Sequence, residues 1–81
     1  NAESSSMRLY PNPVADGVLN IAAEGVGILS VYNNAGALVL SQPLDCSAGV
    51  ATANVASLQA GIYYARFVTA NGASVQKFIV K

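Results

Sequence analysis

The sequence predicts an all-β fold, a sandwich or small barrel of about seven short antiparallel strands, on three observations. No segment carries an amphipathic helical period of useful length. β-branched and aromatic residues recur in short runs, which Gly, Asn and Pro separate at near-regular intervals. The spacing of Leu58, Gly61 and Tyr63 then sets a tyrosine at the start of one such run.

Strands are expected at residues 7–10, 18–22, 26–32, 37–41, 50–55, 62–69 and 74–80. After the first, Tyr10-Pro11-Asn12-Pro13 locks two φ angles, lacks two N–H groups and extends the residue before each proline, so it should run as a stiff, non-pairing segment. Asp16-Gly17 supplies turn chemistry, and Val18, Leu19 and Ile21 resume an apolar strand. Asn33-Asn34-Ala35-Gly36 fits a type I turn with Gly36 in the left-handed region, which pairs Asn33 with Ala37. The apolar pattern instead favours Leu29 and Val31 against Leu40 and Leu38, and the sequence leaves that register open.

For the last hairpin, Asn71-Gly72 favours a two-residue type I′ turn. That turn pairs Ala70 with Ala73, Arg66 with Lys77 and Tyr63 with Val80. Tyr63, Ala65 and Phe67 then share one face with Gln76, Phe78 and Val80, and Tyr64, Arg66 and Val68 share the other with Val75, Lys77 and Ile79. The Leu58, Gly61, Tyr63 spacing resembles the tyrosine corner of immunoglobulin-like sandwiches, in which the hydroxyl bonds backbone upstream of its strand. Gly61 fits a strand that begins under a close loop approach. Leu19, Ile21, Leu29, Val31, Leu58, Tyr63, Phe67, Phe78 and Val80 are the expected core.

Composition narrows function. At 81 residues, 53% of them apolar but fourteen of them alanine, nearly every large apolar side chain is needed for one core, with little left to line a ligand pocket. Formal net charge is zero, which argues against nucleic acid as a partner. There is no apolar run of membrane-spanning length and no signal-peptide pattern, so an export signal would lie upstream in a longer protein. Asn1-Ala2 reads as a scar of tag cleavage and the following Glu and Ser residues as the end of a polar linker, making residues 1–6 a remnant and residues 7–81 a tail domain of a larger polypeptide.

Catalytic chemistry has no visible team. The chain holds no His, Cys46 is alone in an expected loop between Pro43 and Gly49, and Glu3, Asp16, Glu24 and Asp45 are scattered. Glu24-Gly25-Val26-Gly27 opens a strand, not the helix a phosphate loop requires. No cofactor and no small-molecule substrate is expected.

Taken together, "LYPNP" with "DGVLNI", "VYNNAGALVLS", "VASLQAGIYYARF" and the terminal "KFIVK" resemble the type A C-terminal sorting domain of the type IX secretion system of Bacteroidota, in the family's order over residues 9–81. Pro11, Asn12, Pro13 and Gly17 match its opening motif and Gly36 its hairpin glycine. Leu58, Gly61 and Tyr63 match its Leu/Gly/Tyr motif, and Lys77 and Lys81 its basic tail. Asn54 departs from it, standing where the family often carries Asp, and is expected to make only a neutral contact. The resemblance implies an immunoglobulin-like seven-stranded sandwich fused behind an N-terminal cargo. It implies that an outer-membrane translocon reads the domain and a sortase-like protease removes it, so that the cargo passes through the periplasm to the cell surface or the medium. The domain would be an address label and no enzyme.

Tyr64, Arg66, Val68, Val75, Lys77, Ile79 and Lys81 form the expected translocon-docking face, because Arg66 opposite Lys77 would be a like-charge pairing without structural gain. Weak self-association through edge strands is a further expectation. The alternative reading is a passive immunoglobulin-like spacer or glycan-binding module of a cell-surface hydrolase, although the chain has no Trp for a sugar platform.

Overall fold

The computed structural model describes residues 7–81 and contains seven strands: β1 (Arg8–Tyr10), β2 (Val18–Ala22), β3 (Val26–Asn33), β4 (Leu38–Asp45), β5 (Val50–Asn54), β6 (Gly61–Thr69) and β7 (Gly72–Val80). The expected remnant at residues 1–6 lies outside the described residues. Two antiparallel sheets face each other, a three-stranded one in the order β1-β2-β5 and a four-stranded one in the order β4-β3-β6-β7. Their inner faces meet in one core of alternating side chains, with Leu19, Ile21, Leu29, Val31, Val55 and Phe78 fully buried. Of the expected core, Leu58 alone is half-buried at the periphery. Met7, Val14, Leu44, Cys46, Ala53, Val55 and Ala65 join the core as well.

The open register around Gly36 follows the turn and departs from the apolar pairing, since Leu29 faces Gln42 and Val31 faces Leu40 in place of Leu40 and Leu38. The turn closes as its residues dictate, with the Gly36 N–H donating to the Asn33 carbonyl and the Asn33 N–H to the Ala37 carbonyl, and with Gly36 at φ 88°. The Asn33 Oδ1 also accepts the Ala35 and Ala37 N–H groups. A bulge between Val31 and Tyr32 then shifts the ladder by one residue, so that Val31 faces Leu40 and Gly27 faces Leu44. The extra residue turns Leu40 and Leu44 inward. It also lets β4 run on to Asp45, past its expected end at Ser41, and through Pro43. β4 is an edge strand, where a proline is tolerated.

The last hairpin corrects the expected register. Thr69 pairs with Gly72, Arg66 with Val75, Tyr64 with Lys77 and Tyr63 with Phe78, two residues away from the expected pairing. A type I′ turn would need positive φ on both central residues, and no non-glycine residue among those described takes positive φ. Ala70 and Asn71 instead form the loop, the Thr69 hydroxyl accepts the Asn71 N–H at 3.1 Å, and Gly72 alone takes φ 134°. Because the shift is by two, each side chain keeps its expected face. The Arg66–Lys77 opposition disappears.

Candidate functional site

The opening motif acts on the far end of the chain. Pro11, Asn12 and Pro13 are exposed and pair with no strand, as their chemistry requires. The Asn12 Oδ1 accepts the Ile79 N–H at 3.0 Å, the Val14 N–H donates to the Ile79 carbonyl at 2.7 Å, and the Lys81 N–H donates to the Val14 carbonyl at 2.8 Å. Val14 and Val80 form a parallel bridge, and the Gln76 amide reaches the Met7 carbonyl at 3.0 Å. The segment thus latches the outer edge of β7, at the opposite end of the sequence. Nothing in the proline chemistry signalled that partner; the acceptor side chain of Asn12 was the available hint.

Other motif residues are structural. Gly17, at φ 81°, lies so near Ala56 that a Cβ would sit 2.8 Å from the Ala56 Cβ, while its carbonyl accepts the Val55 N–H. The Asp16 carboxylate supports this turn by accepting the Val18 N–H at 3.3 Å. Tyr63 forms the tyrosine corner: its hydroxyl donates to the Gln59 carbonyl at 2.7 Å, and its ring stacks on Phe78 with centroids 5.7 Å apart. The close approach expected at Gly61 is absent, since a Cβ there would meet only the Tyr63 ring at 3.9 Å. Asn54 makes the neutral contact expected of it, accepting the Ala56 N–H at 2.9 Å.

The remaining candidates gather on the outer face of the four-stranded sheet. Tyr64, Arg66, Val75, Lys77 and Ile79 are exposed and Val68 is half-buried. Lys81 follows β7 at the same end. The face is wider than the last hairpin, because Ile28 neighbours Val68, Tyr32 neighbours Tyr64, and Ile62 faces Ile79. Val75 is 55% exposed, Ile28 46% and Ile79 40%, an apolar surface on a sandwich layer that none of the described residues covers. The breadth was not legible earlier because it depends on the long-range β3–β6 pairing, which no local turn specifies. Arg66 and Lys77 lie on this face without an ion-pair partner among the described residues.

Among the described residues no polar or charged side chain is buried, and no group of three His, Cys, Asp or Glu is arranged to hold a metal. Cys46 is buried, its Sγ 3.8 Å from the Ile21 carbonyl, and burial, with Asp45 beside it, pushes the thiol pKa up. The Asp45 carboxylate accepts the Ser47 N–H at 2.8 Å, and the hydrogen bonds from Ser47 hold its pKa below the ordinary value.

Among solved structures, the fold is similar to that of CopC from Methylosinus trichosporium OB3b, at 16% identity, with 93% of each chain covered and a TM-score of 0.55. That likeness establishes the CopC-like, immunoglobulin-type sandwich alone. A search of the curated proteins finds no match. The secretion system C-terminal sorting domain family matches residues 8–81, from the first residue of β1 through the latched C-terminal end. The chain therefore belongs to the type IX secretion C-terminal sorting domains, a family of sorting signals and not of catalysts.

Proposed function

We propose that this domain directs an N-terminal cargo through the type IX outer-membrane translocon by presenting the outer face of the β4-β3-β6-β7 sheet, and that a sortase-like protease then removes it. The cargo would cross the periplasm and finish at the cell surface or outside the cell. The observation that carries the reading is the exposed apolar face around Arg66 and Lys77, on a domain of a sorting family. A face of this kind is a common mark of protein interaction. The remnant at residues 1–6 and a domain starting at Met7 belong to the same reading: Met7 is buried, with its carbonyl bonded to Gln76, so protease access favours bonds before it.

The test is to fuse the whole chain behind a signal peptide and an inert reporter in a host that has this secretion system. Export of the reporter, with the domain lost from the mature product, is expected. Retention of the domain on exported reporter would instead favour a spacer or binding module. Reporter that stays in the periplasm with the intact, folded chain would overturn the sorting reading for this sequence.

A further inference from the structure

Resting on the reading of this face as the recognition surface, we propose that the protein partner seated on it carries a carboxylate, received between Arg66, Lys77 and the Tyr64 hydroxyl. The register sets Lys77 directly opposite Tyr64 and diagonal to Arg66, and Tyr64 lies two residues before Arg66 on the same strand face. Direct cross-strand partners have Cβ atoms about 5 Å apart and diagonal ones about 7–8 Å, so three donor side chains converge on one exposed patch. Around them stand Ser30, Tyr32, Ile62, Val75 and Ile79, none of them anionic. Asp45 lies opposite Val26 at the far end of the face, where it already accepts the Ser47 N–H.

A partner surface that covers Ile62, Val75 and Ile79 must also cover Arg66 and Lys77. Two cations withdrawn from water without a counter-charge would cost more than the apolar contact gains. An acceptor on the partner removes that penalty, and a carboxylate suits the planar guanidinium fork, which it can engage through two parallel hydrogen bonds. A second copy of this chain would bring like charges to the same patch. An anionic bilayer is disfavoured as well, because recruitment to one commonly uses clusters of about four to eight Lys or Arg, whereas this chain has four in total and no net charge.

The experiment uses the reporter fusion, with folding of each variant checked by circular dichroism and thermal unfolding. Arg66→Gln with Lys77→Gln should lower export about tenfold or more, the scale of a lost charge-assisted hydrogen bond. Arg66→Glu with Lys77→Glu should lower it further, and Arg66→Lys with Lys77→Arg should keep most of it. Normal export of the Gln pair, with export lost in Val75→Ser with Ile79→Ser, would overturn the carboxylate and leave the face as the recognition surface. Normal export in every variant would overturn the face itself. Flotation of the purified chain with phosphatidylglycerol vesicles, abolished by the Gln pair, would overturn the protein partner in favour of a lipid one.

Discussion

At the scale of single residues, Tyr63 joins the corner to the core through its hydroxyl on the Gln59 carbonyl and its ring on Phe78. Tyr63→Phe should lower unfolding free energy by about 1 kcal/mol, and Tyr63→Ala by about 3 kcal/mol or more, read by denaturant titration. An unchanged midpoint for Tyr63→Phe would show that water replaces the bond at no cost. Cys46 should resist a thiol reagent in the native state and react fully in denaturant, because its sulfur is buried and its raised pKa keeps it a thiol. Gly27 is constrained by contact: a Cβ would collide with the Val68 carbonyl, so Gly27→Ala should cost about 3 kcal/mol or more. Asp45 has a depressed folded-state pKa, so its contribution is present above the ordinary value of 3.8 and fades as pH falls through the lower folded value. Acid titrations of the protein and of Asp45→Asn should therefore diverge above that window and converge below it.

At the scale of elements, local chemistry predicted the strands better than their partners. The alternation of Tyr63, Ala65 and Phe67 against Gln76 and Phe78 was legible because a two-residue shift leaves every side chain on its face. The shift itself was hidden, since it turns on the Thr69 hydroxyl capping the loop in place of a left-handed Asn71. The β3–β4 bulge was hidden for a different reason: it is a compromise between a turn that fixes one register and a core that demands another. That bulge leaves β4 as a long open edge, with no charged residue from Leu38 to Leu44. The Cys46 N–H bonds the Gly25 carbonyl, and alternation along the ladder then turns the Pro43 nitrogen away from β3, where it denies an incoming strand one donor. Pro43→Val should restore that donor and raise self-association, measured by sedimentation over a concentration series. Equal sedimentation of the two proteins would mean that the edge is protected in some other way.

At the scale of the whole molecule, the two ends of the chain stabilise each other, which decides how the recognition surface can be tested. The docking candidates were legible as one face of the last hairpin, but the like-charge argument that singled them out fails, because Arg66 faces Val75; exposure, and the lack of an ion pair among the described residues, now carry the case. Removing residues 77–81 looks like the simplest way to delete the basic tail. It would also delete Phe78, which is fully buried, and Val80, which bridges Val14, together with the Ile79 and Lys81 amides that hold the opening segment. The two core side chains alone represent about 5 kcal/mol or more, comparable with the whole stability expected of so small a domain. The truncated chain should therefore lose its cooperative thermal transition, and its failure to export would report unfolding, not a lost contact. Asn12→Ala cuts one bond of the same latch and should cost only about 1 kcal/mol, with faster hydrogen exchange at the Ile79 amide and the outer face intact. Export should accordingly survive Asn12→Ala and fail on truncation. A truncated chain that still unfolded cooperatively would show that the ends are held far more weakly than their packing requires.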